Sequence, residues 1–222
     1  MKRGVIIYHS NIKKIYSDRW VNKSLESMLN QTDNDFIFYE LNYGDDHTSL
    51  LSNTNKNKVN FWSQKLSNYA EAMNVLLDNA FNDGCDYVFN TNLDDYYSPD
   101  RILLQTKMIK ENDLDIVSSD FCYIEEQNRS EEEDVITLYK NIVTATPYIK
   151  ENLEAGHNVI AHPSVCYNKR FWEDKENRYD INKTPKEDLD LWVRSIRRGY
   201  KFGIHKDLLL YYRIHKNQSS NT

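Results

Sequence analysis

Apolar segments of strand length alternate with amphipathic helical segments through the first half of the chain, and this order constrains the fold more than any single motif. Gly4 to Tyr8 reads as a strand, and Val21, Leu25, Met28 and Leu29 recur at helical spacing in a helix ending near Gln31. Phe36 to Leu41 reads as the second strand. A polar, asparagine-rich connection from about Asn42 to Asn60 leads to a helix marked by Tyr69, Ala72, Met73, Leu76 and Ala80, which stops near Gly84. A strand to Phe89 follows, then a helix from Pro99 with Leu104 and Met108 on its apolar face, then strand character from Asp115 to Tyr123. Strands separated by helices pair in parallel through right-handed crossovers. The order therefore predicts an α/β fold of Rossmann-like type, a central, mostly parallel sheet flanked by helices, with its ligand site at the C-terminal strand ends.

The second half is less regular. Short apolar pieces surround Val159 and Val165, a helix is predicted from about Lys186 to Arg198, and strands are predicted over 201 to 205 and 208 to 214. The acidic run EEQNRSEEED, residues 125 to 134, reads as a solvated loop or hairpin tip without chemistry. With no internal repeat and no linker rich in Pro, Gly or Ser, residues 1 to 222 read as one domain.

Composition narrows the class of partner. At 222 residues and 40% hydrophobic content the chain can bury one substantial core. A net charge of −6, with basic residues scattered among acids, argues against nucleic acid as the partner. Cys85, Cys122 and Cys166 are an odd, widely spaced set beside apolar residues, which reads as reduced core thiols and not as a zinc site. The N-terminal MKRGVIIYHS reads as a first strand rather than an export signal, and no run is apolar enough to span a bilayer. These features predict a cytoplasmic protein, with peripheral attachment at a membrane left open.

Three segments carry acids or imidazole where chemistry could use them. In YVFNTNLDDYYSPDRI, residues 87 to 102, a buried strand delivers Asp94 and Asp95 to the C-terminal edge of the sheet, with Ser98 as N-cap and Pro99 in the first turn of the following helix. Neighbouring carboxylates at such an edge can hold a divalent cation against a phosphate-bearing ligand. Aspartates are also common before helices, so the doublet alone decides nothing. In NKTPKEDLDLWVRSIRRGY, Thr184 as N-cap, Pro185 at the first position and Glu187 three residues after the cap form a predicted capping box. Asp188 then sits in a first turn, where the helix dipole favours its ionised form, as a general base requires. His215, after a predicted strand, could supply a neutral nitrogen to a cation such as Mn²⁺.

Taken together, these segments resemble the family 2 glycosyltransferases of the GT-A fold over nearly the whole chain. SLESMLNQTDNDF looks like that family's first helix and turn, and NYAEAMNVLLDNAFNDGCDYVFNTNLDDYYSPDRI resembles its long helix, strand and DxD region. HPSVCYNKRFWE, EDLDLWVRSIRRGYKF and LLLYYRIHKNQSS resemble its acceptor-side segment, xED motif and C-terminal YR-x-H segment. NYAEAMN, YSPDRI and HPSV are similar in particular to the bacterial spore-coat member.

The resemblance implies a nucleotide-sugar-binding half over 1 to 123 and an acceptor-side and catalytic-base half over 124 to 222. It implies an inverting transfer from a nucleotide-diphosphate sugar, a UDP-sugar favoured, to a glycan, lipid or protein acceptor. Asp94 and His215 would ligate Mn²⁺ or Mg²⁺, and Asp188 would be the general base. Asp95 would be a supporting acid, and Asn92 stands where many members have the first aspartate of DxD, one negative charge fewer. Tyr8, His9 and Ser10 would line the nucleotide, Asn42 and Tyr43 the base, and Lys65 the diphosphate. His162, Ser164, Glu187 and Trp192 would lie on the acceptor side, with Trp172 and Trp192 also reading as packing. The competing readings are a metal-dependent nucleotidyltransferase, whose Gly-rich phosphate loop is missing from YHSNIKK, and a non-catalytic nucleotide or sugar-binding protein of the same fold.

Overall fold

A computed structural model describes residues 1–52, 58–126, 133–139, 145–216 and 218. Three strands and two helices open the chain: β1 (Arg3–His9), α1 (Ile12–Ile15), α2 (Asp18–Leu29), β2 (Ile37–Asn42) and β3 (Lys58–Ser63). They are followed by α3 (Tyr69–Asn82), β4 (Tyr87–Thr91), β5 (Tyr96–Tyr97), α4 (Arg101–Glu111), β6 (Ile116–Glu126) and β7 (Glu133–Tyr139). The remainder is α5 (Thr146–Glu154), a 3-10 turn (His162–Ser164), β8 (Cys166–Asn168), α6 (Lys169–Glu173), α7 (Glu187–Arg197) and β9 (Phe202–Arg213).

The strands form one sheet in the order β3-β2-β1-β4-β8-β6-β9-β5, with β7 paired to β6. β3, β2, β1 and β4 are mutually parallel, β9 runs parallel to β6, and the inserted β8 is antiparallel to both β4 and β6. The expected mostly parallel, helix-covered sheet is thus present. Side chains alternate across it: Ile6 joins the core under α3 and α7 with Leu76, Trp172 and Trp192, while Val5 and Ile7 join the opposite core with Phe38, Phe89 and Ile102. All three cysteines are buried and free. No helix among the described residues is long and apolar enough to cross a membrane.

Several boundaries depart from the sequence reading. β3 begins at the end of the stretch read as polar connection and runs past it to Ser63, because an edge strand of exposed and half-buried residues lacks a continuous apolar run. α5 was not anticipated. α4 begins at Arg101, not Pro99, and its N-cap is Asp100 without a side-chain cap bond, because Tyr96 and Tyr97 extend to pair with Tyr211 and Leu210 of β9. α7 begins at Glu187 after a cis Thr184–Pro185 bond, and the capping box is absent: Lys186 is the N-cap, and Glu187 accepts a hydrogen bond from the Tyr69 hydroxyl at 3.0 Å. β6 and β7 do form an antiparallel hairpin. The acidic tip read at 125 to 134 lies largely outside the described residues.

Candidate active site

The order of strands changes direction between β1 and β4, where β1, β2 and β3 run outward to one side and β4 returns to the other. Crevices at such a switch point, outside the carboxyl ends of the strands, are where open α/β sheets bind ligands. Tyr8 on β1 and Asn92 after β4 close this point, the Tyr8 hydroxyl donating to Asn92 Oδ1 at 2.8 Å. Asn92 is further fixed through its backbone, whose N–H donates to the Tyr97 hydroxyl at 2.7 Å and whose carbonyl accepts from Ser24 at 2.9 Å. The Tyr8 bond is accepted by Oδ1, as an aspartate oxygen could accept it, so this contact does not by itself explain the asparagine.

β9 brings the C-terminal segment to the same edge. Its pairing with β5 sets Arg213 over the aspartate doublet: Arg213 N–H donates to Asp95 Oδ1 at 2.8 Å, and its Nε donates to the Asp94 carbonyl at 2.8 Å. His215 Nε2 then lies 3.0 Å from Asp94 Oδ2, a contact between residues 121 apart in sequence. Tyr16 meets the His215 ring edge-on at 5.5 Å and Trp20 lies 5.1 Å from it, while the Arg213 guanidinium sits 4.8 Å over Trp20. Burial, followed by the charges of Asp94 and Asp95, raises the Tyr16 hydroxyl above its ordinary value, so it stays protonated as a donor to Asp94. Burial, with the Asp94 charge beside it, raises the Asp95 carboxyl, against the opposing Arg213 amide and the nearby guanidinium groups. Asp95 Oδ2 is buried without a partner.

The second acidic site is on α7. Asp188 is half-buried, and its carboxylate accepts the Leu189 N–H at 2.6 Å and the Asn158 side-chain amide at 2.9 Å. Close by, His162 Nε2 shares a hydrogen bond with the Tyr179 hydroxyl at 3.0 Å, and that hydroxyl pairs with Tyr167 at 2.5 Å. Burial lowers the His162 imidazole from its ordinary value, opposed by the Asp188 charge.

Several residues picked from the sequence are buried, tied to other protein groups, or placed away from the Asp94–His215 edge. His9 is 2% exposed and its Nε2 lies 3.0 Å from the buried Glu40, so its side chain points into the sheet and away from the edge. Glu40 in turn accepts from Ser49 and from the Leu50 N–H, each at 2.6 Å, anchoring the loop after β2. Asn42 is fully buried, and its amide folds that loop, donating to Asp46 and Thr48 and accepting the Gly44 N–H, which leaves it no role in reading a base edge. Gly44 is required there, since a Cβ would stand 2.8 Å from the Asn11 nitrogen and 3.0 Å from Ser10 Oγ. Tyr43 stays half-buried beside Tyr8, tied by its N–H to the His9 carbonyl, and Ser10 is part-exposed at the same rim.

Lys65 projects from the end of the edge strand β3, exposed and 4.0 Å from Asp45, two strands removed from β1. Ser164 is fully buried and spent on Ser118, Ser119 and the Ala161 carbonyl. Trp192 is 0% exposed beneath His162 and Tyr179, and Trp172 is 2% exposed with its indole N–H on Asp78, so both are packing and neither is a sugar platform. Glu187 is 3% exposed behind Asp188 and faces α3, away from the acceptor side.

Glu187 has a measurable consequence. Burial, reinforced by the Asp188 charge, pushes its carboxyl up to about 7, against hydrogen bonds that pull it down. Between the ordinary value of 4.5 and about 7 the folded chain holds a proton that the unfolded chain releases, so stability falls as pH rises through that window. Glu187→Gln keeps an acceptor for Tyr69 and removes the titration. Its unfolding free energy relative to the parent is expected to rise by on the order of 1–2 kcal/mol between pH 5 and pH 8. Urea melts at the two pH values check this, and a pH-independent difference contradicts it.

The residues that sequence reasoning missed are Tyr16, Trp20, Tyr97, Arg213, Asn158 and Tyr179. Apart from Tyr97, which bonds the nearby Asn92, they act through contacts distant in sequence. Arg213 alone carried a signal, as the arginine of the YR-x-H segment.

No protein-family model matches the sequence. The chain is 26% identical over 211 residues to an uncharacterized glycosyltransferase of Methanocaldococcus jannaschii, covering 89% of this chain and 67% of the relative. It is 24% identical over 214 residues to the O-antigen biosynthesis glycosyltransferase WbnJ of Escherichia coli, covering 92% of this chain and 78% of the relative. Among solved structures, S. aureus TarS 1-349 in complex with UDP-GlcNAc superposes with a TM-score of 0.72 at 16% identity, over 100% of this chain and 61% of that one. The TarS complex with UDP gives 0.69 at 18% identity, over 96% and 61%. The chain thus spans about six-tenths of the TarS structures, 61% in both complexes.

Proposed function

We propose that this chain, which groups with the glycosyltransferases in sequence and shares the GT-A fold, moves a sugar from a nucleotide-diphosphate donor to an acceptor hydroxyl with inversion at the anomeric carbon. A UDP-sugar is the favoured donor, since the TarS structures hold UDP and UDP-GlcNAc. The observation that carries the reading is the meeting of Asp94 with His215 at the sheet's switch point, flanked by Tyr8 and Asn92.

The donor set at that point suits Mn²⁺ or Mg²⁺. A carboxylate oxygen of Asp94 and an imidazole nitrogen of His215, 3.0 Å apart across a hydrogen bond, are donors that could turn to such an ion. No cluster of three or more metal-ligating side chains occurs among the described residues. An ion here would have to rest on Asp94 and His215, with substrate and water supplying its other donors. When bound, such an ion neutralises the diphosphate and acts as a Lewis acid on the leaving group.

The chain's own residues supply the rest. Asp94 and His215 would hold the ion, in a DxD-like site of family 2 type in which Asn92 replaces the first acid. Asp95 holds the C-terminal segment in register through the Arg213 amide. Tyr8, Ser10 and Tyr43 form the rim at which the nucleotide lies. Asp188 takes the acceptor hydroxyl's proton as its oxygen bonds to the anomeric carbon and the bond from that carbon to the diphosphate breaks. A single displacement needs no sugar bound covalently to the protein.

Incubation with UDP-, GDP-, CDP- and dTDP-sugars, with Mn²⁺, with Mg²⁺ or with EDTA, tests the reading. Release of UDP that requires a divalent ion is expected, with a thermal shift by the same donor. If no donor releases nucleotide or shifts the melting temperature with either ion, the reading fails in favour of a non-catalytic protein of this fold.

A further inference from the structure

Asp188 is held from two sides. The Leu189 N–H on Oδ1 belongs to the same helical turn and moves with it, so it fixes the carboxylate only relative to α7. The second donor, Asn158 Nδ2 on Oδ2 at 2.9 Å, comes from a separate element, 30 residues earlier, in the loop joining α5 to the 3-10 turn. Its amide is oriented for that contact, because Oδ1 accepts the Ile160 N–H at 3.2 Å and so turns Nδ2 toward the carboxylate. The loop is anchored on both sides of the contact. Just past the end of α5 stands Gly156, whose φ of +85° only glycine adopts readily, and Val159 and Ile160 are 9% and 3% exposed in the core that also holds Leu191 and Trp192 of α7. Asn158 itself is exposed, so core packing does not account for its direction.

We propose that Asn158 is a positioning residue for the base: its amide holds the Asp188 carboxylate in one orientation. This rests on the assignment of Asp188 as the base. The titratable groups that feel the Asp188 charge are Glu187 beside it on α7, His162 on the 3-10 turn, Tyr167 on β8 and Tyr179 in the segment before α7. Burial lowers the His162 imidazole and raises both tyrosine hydroxyls, so none of these groups brings a positive charge to the carboxylate at neutral pH. Asn158 is a neutral donor that reaches the carboxylate from outside α7.

The test is kcat and donor KM for transfer by the parent chain, Asn158→Ala, Asn158→Ser, Asn158→Asp and Asp188→Asn, with circular dichroism to confirm folding. Asn158→Ala is expected to lower kcat by about tenfold or more, the loss of one hydrogen bond to a charged group. Donor KM stays within about twofold. Asn158→Asp loses at least as much, by like-charge repulsion, and Asn158→Ser recovers part of the rate because a hydroxyl donor remains. Transfer by folded Asn158→Ala and Asn158→Asp at the parent kcat, or a loss that Asn158→Ser does not relieve, overturns the proposal and leaves Asp188 as base. Retention of transfer by Asp188→Asn overturns the base assignment itself.

Discussion

Asp188→Asn is expected to bind a nucleotide-sugar donor as the parent chain does and to lose transfer by about 10²- to 10⁴-fold, the usual worth of a positioned general base. The two halves of this prediction have different structural grounds. Donor binding is assigned to the edge of β1, β4 and the C-terminal segment, where Asp94 and His215 meet, and Asp188 makes no hydrogen bond to any residue of that group among the described residues. Proton removal requires a basic oxygen that an amide lacks. The substitution is nearly isosteric, and it keeps an oxygen to accept the Leu189 N–H, so the helix start is retained. Initial rates of transfer, or of donor hydrolysis with water as acceptor, together with calorimetric donor binding, separate the two effects. A variant that transfers within a few-fold of the parent rate rules Asp188 out as the base.

The contrast between what could be read from the residues and what required the fold runs along one physical line. Patterns with a short period were legible. The alternation of apolar strands with amphipathic helices placed β1, β2, β4 and β6 and predicted the parallel core of the sheet. Asp94, Asp188 and His215 were legible as residue types at element ends, and the fold brings Asp94 and His215 within 3.0 Å. Side-chain direction at a strand's last residue was not. Tyr8 and His9 are adjacent, yet successive strand residues face opposite sides, so one meets Asn92 at the switch point while the other meets Glu40 inside the sheet. Which of the two faces the site depends on the register of β1 against its neighbours, a property of the whole sheet.

Helix starts failed for a related reason. Ser98-Pro99 and Thr184-Pro185 are sound local signals, but the pairing of β5 with β9 and the Glu187–Tyr69 bond outweigh a cap worth about 1 kcal/mol. Asn42 misled in the same way. An amide at a strand end suits a base edge, and only the fold reveals that Asp46, Thr48 and Gly44 already satisfy it.

The proposed metal site yields the sharpest separation between charge and shape. Asp94→Asn is expected to fold normally, since the Asp94 backbone carbonyl still accepts Arg213 Nε and an amide oxygen can still face His215. It removes the one negative charge placed to attract a divalent ion, so Mn²⁺-dependent tightening of UDP binding is expected to fall by at least about tenfold, a loss of about 1.4 kcal/mol or more. Binding of UDP without metal should change much less, and in the favourable direction if at all, because a carboxylate beside an unneutralised diphosphate repels it. Asp95→Asn sets the contrast. Its Oδ1 serves the buried Arg213 amide and Oδ2 has no partner, so an amide there preserves the main contact and adds a donor where none is used. Its effect should therefore appear in thermal stability, on the order of 1–3 kcal/mol, with the metal dependence of UDP binding largely kept. Titrations of UDP into the two variants with Mn²⁺ and with EDTA read this difference directly. Equal loss of metal dependence in both would move the ligand role from Asp94 alone to the doublet, and retention in both would remove the ion from this edge of the sheet.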